Sequence, residues 1–118
     1  MSDSFTQALQ NTSEVDLTVT GRSTHRQITN PVWFVQENDR LYLVPVRGSD
    51  SDWFKNVLAV PEVQLTADNA HASAPAVAIT DPGQVRAIVD KFRARYGADQ
   101  VAQYYPKTDV AVEVSLPA

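Results

Sequence analysis

Pro31-Val-Trp-Phe-Val-Gln-Glu-Asn-Asp-Arg-Leu-Tyr-Leu-Val-Pro-Val46 is the stretch that decides the fold. Successive strand side chains point to opposite faces. An extended segment from Pro31 to Val35 therefore puts Val32 and Phe34 on one face and Trp33 and Val35 on the other. Gln36 to Asp39 is turn chemistry. Leu41 to Val46 is apolar on both faces, which predicts a central strand covered on both sides. The stretch reads as a hairpin, and hairpins build antiparallel sheet.

Upstream, Val15, Leu17 and Val19 alternate with Asp16, Thr18 and Thr20, predicting a half-buried strand that Gly21 ends. Phe5, Ala8 and Leu9 predict a short helix over 3–11, capped by Asp3 or Ser4. Residues 22–30 form a polar, cationic connection. Downstream, Arg47-Gly-Ser-Asp50 ends the strand that began at Leu41. Trp53, Phe54, Val57 and Leu58 then fit a short helix, capped by Asp50 or Ser51 and ending before Pro61. Val63 and Leu65 mark a fourth strand, and Asp68-Asn69 turns into a fifth over about 71–79. Asp81 caps a long helix with Pro82 at its first position and Val85, Ile88, Val89 and Phe92 as its buried stripe. Gly97 closes it, a short helix follows over 98–105, and Val110, Val112, Val114 and Leu116 form the last strand.

The expected fold class is α+β: six antiparallel strands curled into a small barrel, with flanking helices. A chain of 118 residues is one domain by length, so 1–118 is expected to share one core. At this size roughly two-thirds of the unfolded surface is buried without staples. Zero cysteines exclude a disulfide framework, thiolate metal ligation and a cysteine nucleophile. Fourteen acids against ten Lys and Arg give a net charge of −4, unlike the basic excess of general nucleic-acid binders. No run approaches the roughly 18 apolar residues of a membrane span, and the N-terminus lacks a signal peptide's pattern, so a cytoplasmic protein is expected.

His25 and His71 have no metal-site spacing and read as surface histidines. No GxSxG elbow is present. Asp50 and Asp52 suit the first turn of a helix better than acid–base chemistry. Arg86, Lys91, Arg93 and Arg95 suit a solvated helix face. Tyr104 and Tyr105 before Pro106 fit either core packing or the roof of a pocket. One constellation asks for a ligand. Gly21-Arg-Ser-Thr-His-Arg26 is a loop of guanidinium and hydroxyl groups, and Arg47-Gly-Ser49 is a second cationic turn entering a helix that carries Trp53, Lys55 and Asn56. Arginine forks and helix starts bind anions, while Trp33 and Trp53 offer flat apolar surface. A phosphorylated, ring-bearing ligand suits these groups.

These residues resemble the split β-barrel flavin- and deazaflavin-dependent reductases, most closely the deazaflavin-dependent nitroreductase branch. The resemblance rests on Thr18-Val-Thr-Gly-Arg22, Asn30-Pro-Val-Trp-Phe-Val35, Arg40-Leu-Tyr-Leu-Val44, Arg47-Gly48, Trp53-Phe-Lys-Asn-Val57 and Pro61-Glu-Val-Gln-Leu65. It implies a six-stranded split barrel, a homodimer, and FMN or the deazaflavin coenzyme F(420) as cofactor. It also implies hydride transfer to a small electrophile such as a quinone, nitro compound or enone. By position, Thr24 and Arg26 would meet the phosphate, and Asn30, Pro31 and Trp33 would flank the ring. Val46, Arg47, Gly48 and Ser49 would touch ring or ribityl chain, and Trp53, Lys55 and Asn56 would complete the wall. Little side-chain acid–base chemistry is implied, because the ring carries the hydride. The proton for the product is left to solvent or a tyrosine, no catalytic residue is assigned, and no metal is expected. The alternative on the same barrel is a non-catalytic protein holding a cofactor, haem or small ligand for storage or sensing.

Overall fold

The alternation read from the sequence builds a curled antiparallel sheet. In the computed structural model the described residues are 2–10, 12–68 and 70–116. The side chains of Asp3 and Ser4, expected as caps, and Asn69 of the expected turn lie outside them. The elements are α1 (Ser2–Gln10), β1 (Glu14–Thr20), β2 (Gln27–Trp33), β3 (Val35–Glu37), β4 (Arg40–Leu43), α2 (Asp52–Ala59) and β5 (Glu62–Ala67). They continue with β6 (Ala70–Ile79), α3 (Pro82–Tyr96), α4 (Ala98–Tyr104) and β7 (Ala111–Ser115). Among the described residues no helix is long and apolar enough to cross a membrane.

The sheet has seven strands in the order β2-β1-β5-β6-β7-β4-β3, where the sequence predicts six. The extra strand comes from a break at Phe34. Its N–H donates to the Tyr96 hydroxyl at 3.1 Å, and its carbonyl lies 2.8 Å from the same hydroxyl. The side-chain alternation runs through Phe34 without interruption, so the pattern conceals the break. Because β2 and β3 are the two edges of the sheet and only Phe34 separates them in the chain, the sheet must curl. The strand β6 serves both halves: Ala70–Pro75 pairs with β5 and Ala76–Ile79 with β7.

Two other boundaries differ from expectation. Gln27 to Asn30, expected as connection, pair with Thr20 to Leu17 of β1. Their polar side chains are no obstacle, because residues 27–31 are exposed along an edge strand. Pro31 also sits within β2, tolerated on an edge whose outer side needs no donor. The strand expected to reach Val46 stops at Leu43, ahead of Pro45, and it is penultimate in the sheet rather than central. Both its faces are nevertheless covered, as its composition requires.

One core fills the curl, where Phe34, Leu41, Leu43, Leu65 and Val114 meet Phe5 and Leu9 of α1. A second lies outside the sheet, under α3 and α4, where Val85, Ile88, Val89 and Phe92 pack with Trp33, Val35, Tyr42 and Val44. The hairpin thus divides its faces as the alternation predicts. Burying a side chain such as Phe92 contributes about 1.5–3 kcal/mol. Asp81 caps α3 by accepting the Gln84 N–H at 3.0 Å, with Pro82 at the start and Gly97 at the end. Leu58, expected to pack, is exposed on α2.

Candidate functional site

A cleft of about 410 Å³ opens where β2, α2 and α4 meet, within the size range of small-molecule sites. Pro31, Val32 and Trp33 enter it from β2, Val44 and Val46 from the segment after β4, and Trp53 from α2. Tyr104 and Tyr105 close the other side, joined by Gln100 of α4 and by Glu14 at the start of β1.

Trp33 is the centre of this wall. Its indole stacks on Tyr96 at 4.1 Å between ring centroids and 6° between planes. Tyr104 meets it edge-on at 5.5 Å, and Tyr105 is tilted against it at 5.9 Å. Phe92 supports both Tyr96 and Tyr105 from below. The Tyr96 hydroxyl is held by Phe34 and by the Ser13 carbonyl at 2.8 Å, which fixes the ring against the indole. Burial raises the Tyr105 pKa far above the ordinary phenol value and also raises that of Tyr96. Both remain protonated hydroxyls across the physiological range.

Of the sequence-predicted site residues, Pro31, Trp33, Val46 and Trp53 converge on this cleft. Asn30 adjoins Pro31 on the exposed edge strand, paired with Leu17, and does not line the cleft. Thr24 and Arg26 are exposed in the loop before β2. The Thr24 hydroxyl accepts the Arg26 N–H at 3.2 Å, and the Arg26 carbonyl accepts the Gly21 N–H at 2.7 Å. The Arg47 N–H donates to the Ser51 hydroxyl at 2.9 Å, so Ser51 occupies the cap position of α2 while its side chain holds the preceding turn.

Gly48 is buried at φ 57°, and Ser49 donates its N–H and hydroxyl to Asp109 at 2.9 and 2.6 Å. Asn56 is buried and accepts both the Arg22 N–H at 3.0 Å and its guanidinium at 2.7 Å. These contacts commit Ser49 and Asn56 to holding their loops. Lys55 is exposed on α2, two residues from Trp53.

The two acids of the α2 turn are paired. Asp52 lies 3.7 Å from the Arg22 guanidinium, and Asp50 lies 3.0 Å from Lys107. Arg26, Arg47 and Lys55 have no ion-pair partner among the described residues. His25 is exposed, His71 sits 3.1 Å from the Thr66 hydroxyl, and no group of three potential metal ligands occurs among the described residues.

Glu14, Gln100 and Val44 were not singled out by sequence reasoning. Glu14 reaches the cleft because the β1–β2 register sets it opposite Trp33. Tyr104 and Tyr105, open between packing and pocket, do both. Tyr105 is buried in the outer core, and the two together line the cleft.

The curled sheet has solved counterparts. A candidate 5-nitroimidazole antibiotic resistance protein from Bacteroides thetaiotaomicron superposes with a TM-score of 0.75 at 16% identity, over 98% of this chain and 80% of that one. The F(420)-H2-dependent reductase FDR-A gives 0.69 at 23% identity, over 87% and 94%. The heme storage protein HutZ from Vibrio cholerae gives 0.72 at 12% identity, over 98% and 89%. Likeness at these identities establishes the shared split-barrel fold. No curated protein matches the sequence significantly. The model of one family, "Uncharacterized protein conserved in bacteria (DUF2255)", matches residues 6–114, and the chain belongs to that family.

Proposed function

We propose that this chain binds the deazaflavin coenzyme or FMN and passes hydride to a small electrophilic acceptor, as a cytoplasmic homodimer. The observation carrying the reading is the convergence of Pro31, Trp33, Val46 and Trp53 on one aromatic-walled cleft. Each wall segment also brings a cation with no ion-pair partner among the described residues. Arg26 precedes β2, Arg47 follows Val46, and Lys55 follows Trp53 by two positions. An apolar slot suits a planar ring, and guanidinium or ammonium groups such as these suit its phosphate.

When bound, the cofactor supplies the hydride. The residues of this chain have other tasks. Trp33, fixed by Tyr96, sets the plane of the ring. Trp53 and Val46 exclude water from its face, and Arg26 and Lys55 meet the phosphate. The Tyr105 hydroxyl, kept protonated by burial, or that of Tyr104 can hydrogen-bond an acceptor oxygen. For the homodimer, the open edge of β2, exposed over residues 27–31, offers the surface for a second copy.

Titration of the purified protein with FMN and, separately, with the deazaflavin coenzyme, followed by fluorescence, tests the reading. Binding at low micromolar or tighter supports it, and binding of neither removes it. The alternative is a holder without turnover, which the same aromatic-walled cleft would also suit. Mixing the reduced cofactor complex with a quinone separates the two, since an enzyme reoxidises the cofactor and a holder does not.

A further inference from the structure

The cleft is electrically lopsided. Arg22, held against α2 by Asp52 and Asn56, and Lys55 on α2 lie outside its lining, whereas Glu14 at the start of β1 lines it together with Gln100 and Tyr104 of α4. Glu14 is the sole charged residue lining the cleft among the described residues, and no lysine or arginine lines it. It has no ion-pair partner among the described residues either. Its position opposite Trp33 brings the carboxylate to the aromatic wall, and its charge adds to the burial that raises the Tyr96 pKa. Arg95 is turned to other work: its guanidinium lies 4.4 Å from the Phe34 ring centre and 5.2 Å from that of Tyr96, and it donates to the Thr12 carbonyl at 2.8 Å.

Aromatic faces carry negative potential and attract cations, tryptophan most strongly. Trp33, with Tyr104 edge-on at 5.5 Å and Tyr105 at 5.9 Å, supplies such a cluster, and Glu14, opposite Trp33 in register, lines the same cleft without an ion-pair partner among the described residues. We propose that the α4 end of the cleft is a binding site for a planar organic cation, an N-alkylpyridinium or N-alkylquinolinium ring, with Glu14 as its counter-ion. The charge on the ring discriminates, since a neutral ring of the same shape gains the stacking but neither the cation–π attraction nor the carboxylate. This assignment goes beyond the cofactor reading and does not rest on it. An anionic phosphate belongs at the opposite end.

Calorimetric titration of the full chain at pH 8 and low salt, with N-methylquinolinium and with uncharged quinoline, tests the site. The cation is expected to bind about tenfold tighter, in line with a partly exposed cation–π contact plus a charge pair. Glu14→Gln should shrink that ratio to about threefold or less. Glu62→Gln removes an exposed acid from β5, away from the cleft lining, and should leave the ratio unchanged. Equal binding of the two rings, no binding of the cation, or an equal loss in both variants overturns the proposal. FMN titrated in parallel keeps the two readings apart. A preserved cation preference without FMN binding removes the cofactor reading alone, and FMN binding without the preference removes this one alone.

Discussion

Tyr96 lies parallel to Trp33, 4.1 Å away between centroids, and its hydroxyl closes the one-residue gap at Phe34 between the two edge strands. A single side chain from α3 therefore stabilises the curl of the sheet and orients the cleft wall. Tyr96→Phe keeps the stack and removes the acceptor of the Phe34 N–H. Stranding that group is expected to cost about 1–3 kcal/mol of stability in urea unfolding. The near-ultraviolet circular dichroism of Trp33 should be retained. Unchanged stability would show that water replaces the hydroxyl without loss.

Arg26 and Lys55 stand exposed outside the cleft lining, in the loop before β2 and on α2, and neither is tied up in an ion pair among the described residues. If they meet the cofactor phosphate through charge-assisted bonds, Arg26→Ala and Lys55→Ala should each weaken cofactor binding by about 1–3 kcal/mol. The folded state should be unaffected, since both side chains are exposed. Parent-like affinity in both variants would place the phosphate elsewhere.

Asp109 fastens the turn after β4 through Ser49. Partial burial pushes its carboxyl pKa up, but the Ser49 hydroxyl and N–H and the Lys107 ammonium outweigh it, and the net shift is downward. A depressed folded pKa contributes stability that is present above the unfolded value and lost as pH falls through the folded one. The unfolded value is about 3.9. The stability gap between the parent and Asp109→Asn should therefore be full at neutral pH and close below about pH 4. The carboxylate is 41% exposed, so screening holds the effect to about 1 kcal/mol or less. Urea midpoints at pH 7 and pH 3 measure it. An identical gap at both would mean that the ionised carboxylate is not the source.

Most of the architecture was legible because it rests on local signals. The Asp81-Pro82 start and Gly97 stop of α3, and the alternation in β1, β5 and β7, need only neighbouring residues to be read. What escaped depends on distant partners. The break at Phe34 is made by Tyr96, and the buried acceptor role of Asn56 is made by Arg22, 62 and 34 residues away in sequence. Gln27 to Asn30 look like a loop because polarity reports exposure, and an edge strand is exposed. In the cleft, the aromatic residues Trp33 and Trp53 were visible as unusual residue types. Glu14 became part of it only through strand register, which no local pattern around Glu14 displays.

Gly48 shows the same dependence in a form that can be tested. Its φ of 57° lies in the left-handed region, which costs a residue with a Cβ about 1–2 kcal/mol. A Cβ there would also overlap the Asp109 carboxylate and stand 2.9 Å from Lys107 Cγ and 3.0 Å from the Lys107 carbonyl. Gly48→Ala must therefore displace the clasp between Ser49 and Asp109, and with it the segment that brings Val46 to the cleft. Stability should fall by at least the backbone cost, and affinity for any ligand of the cleft should fall with it. Gly83→Ala, near the start of α3 with normal φ and its nearest contact at 3.3 Å, should change both much less. Urea unfolding and ligand titration of the two variants side by side decide the matter. A Gly48→Ala chain as stable as Gly83→Ala would mean that the turn relaxes freely and has no part in shaping the site.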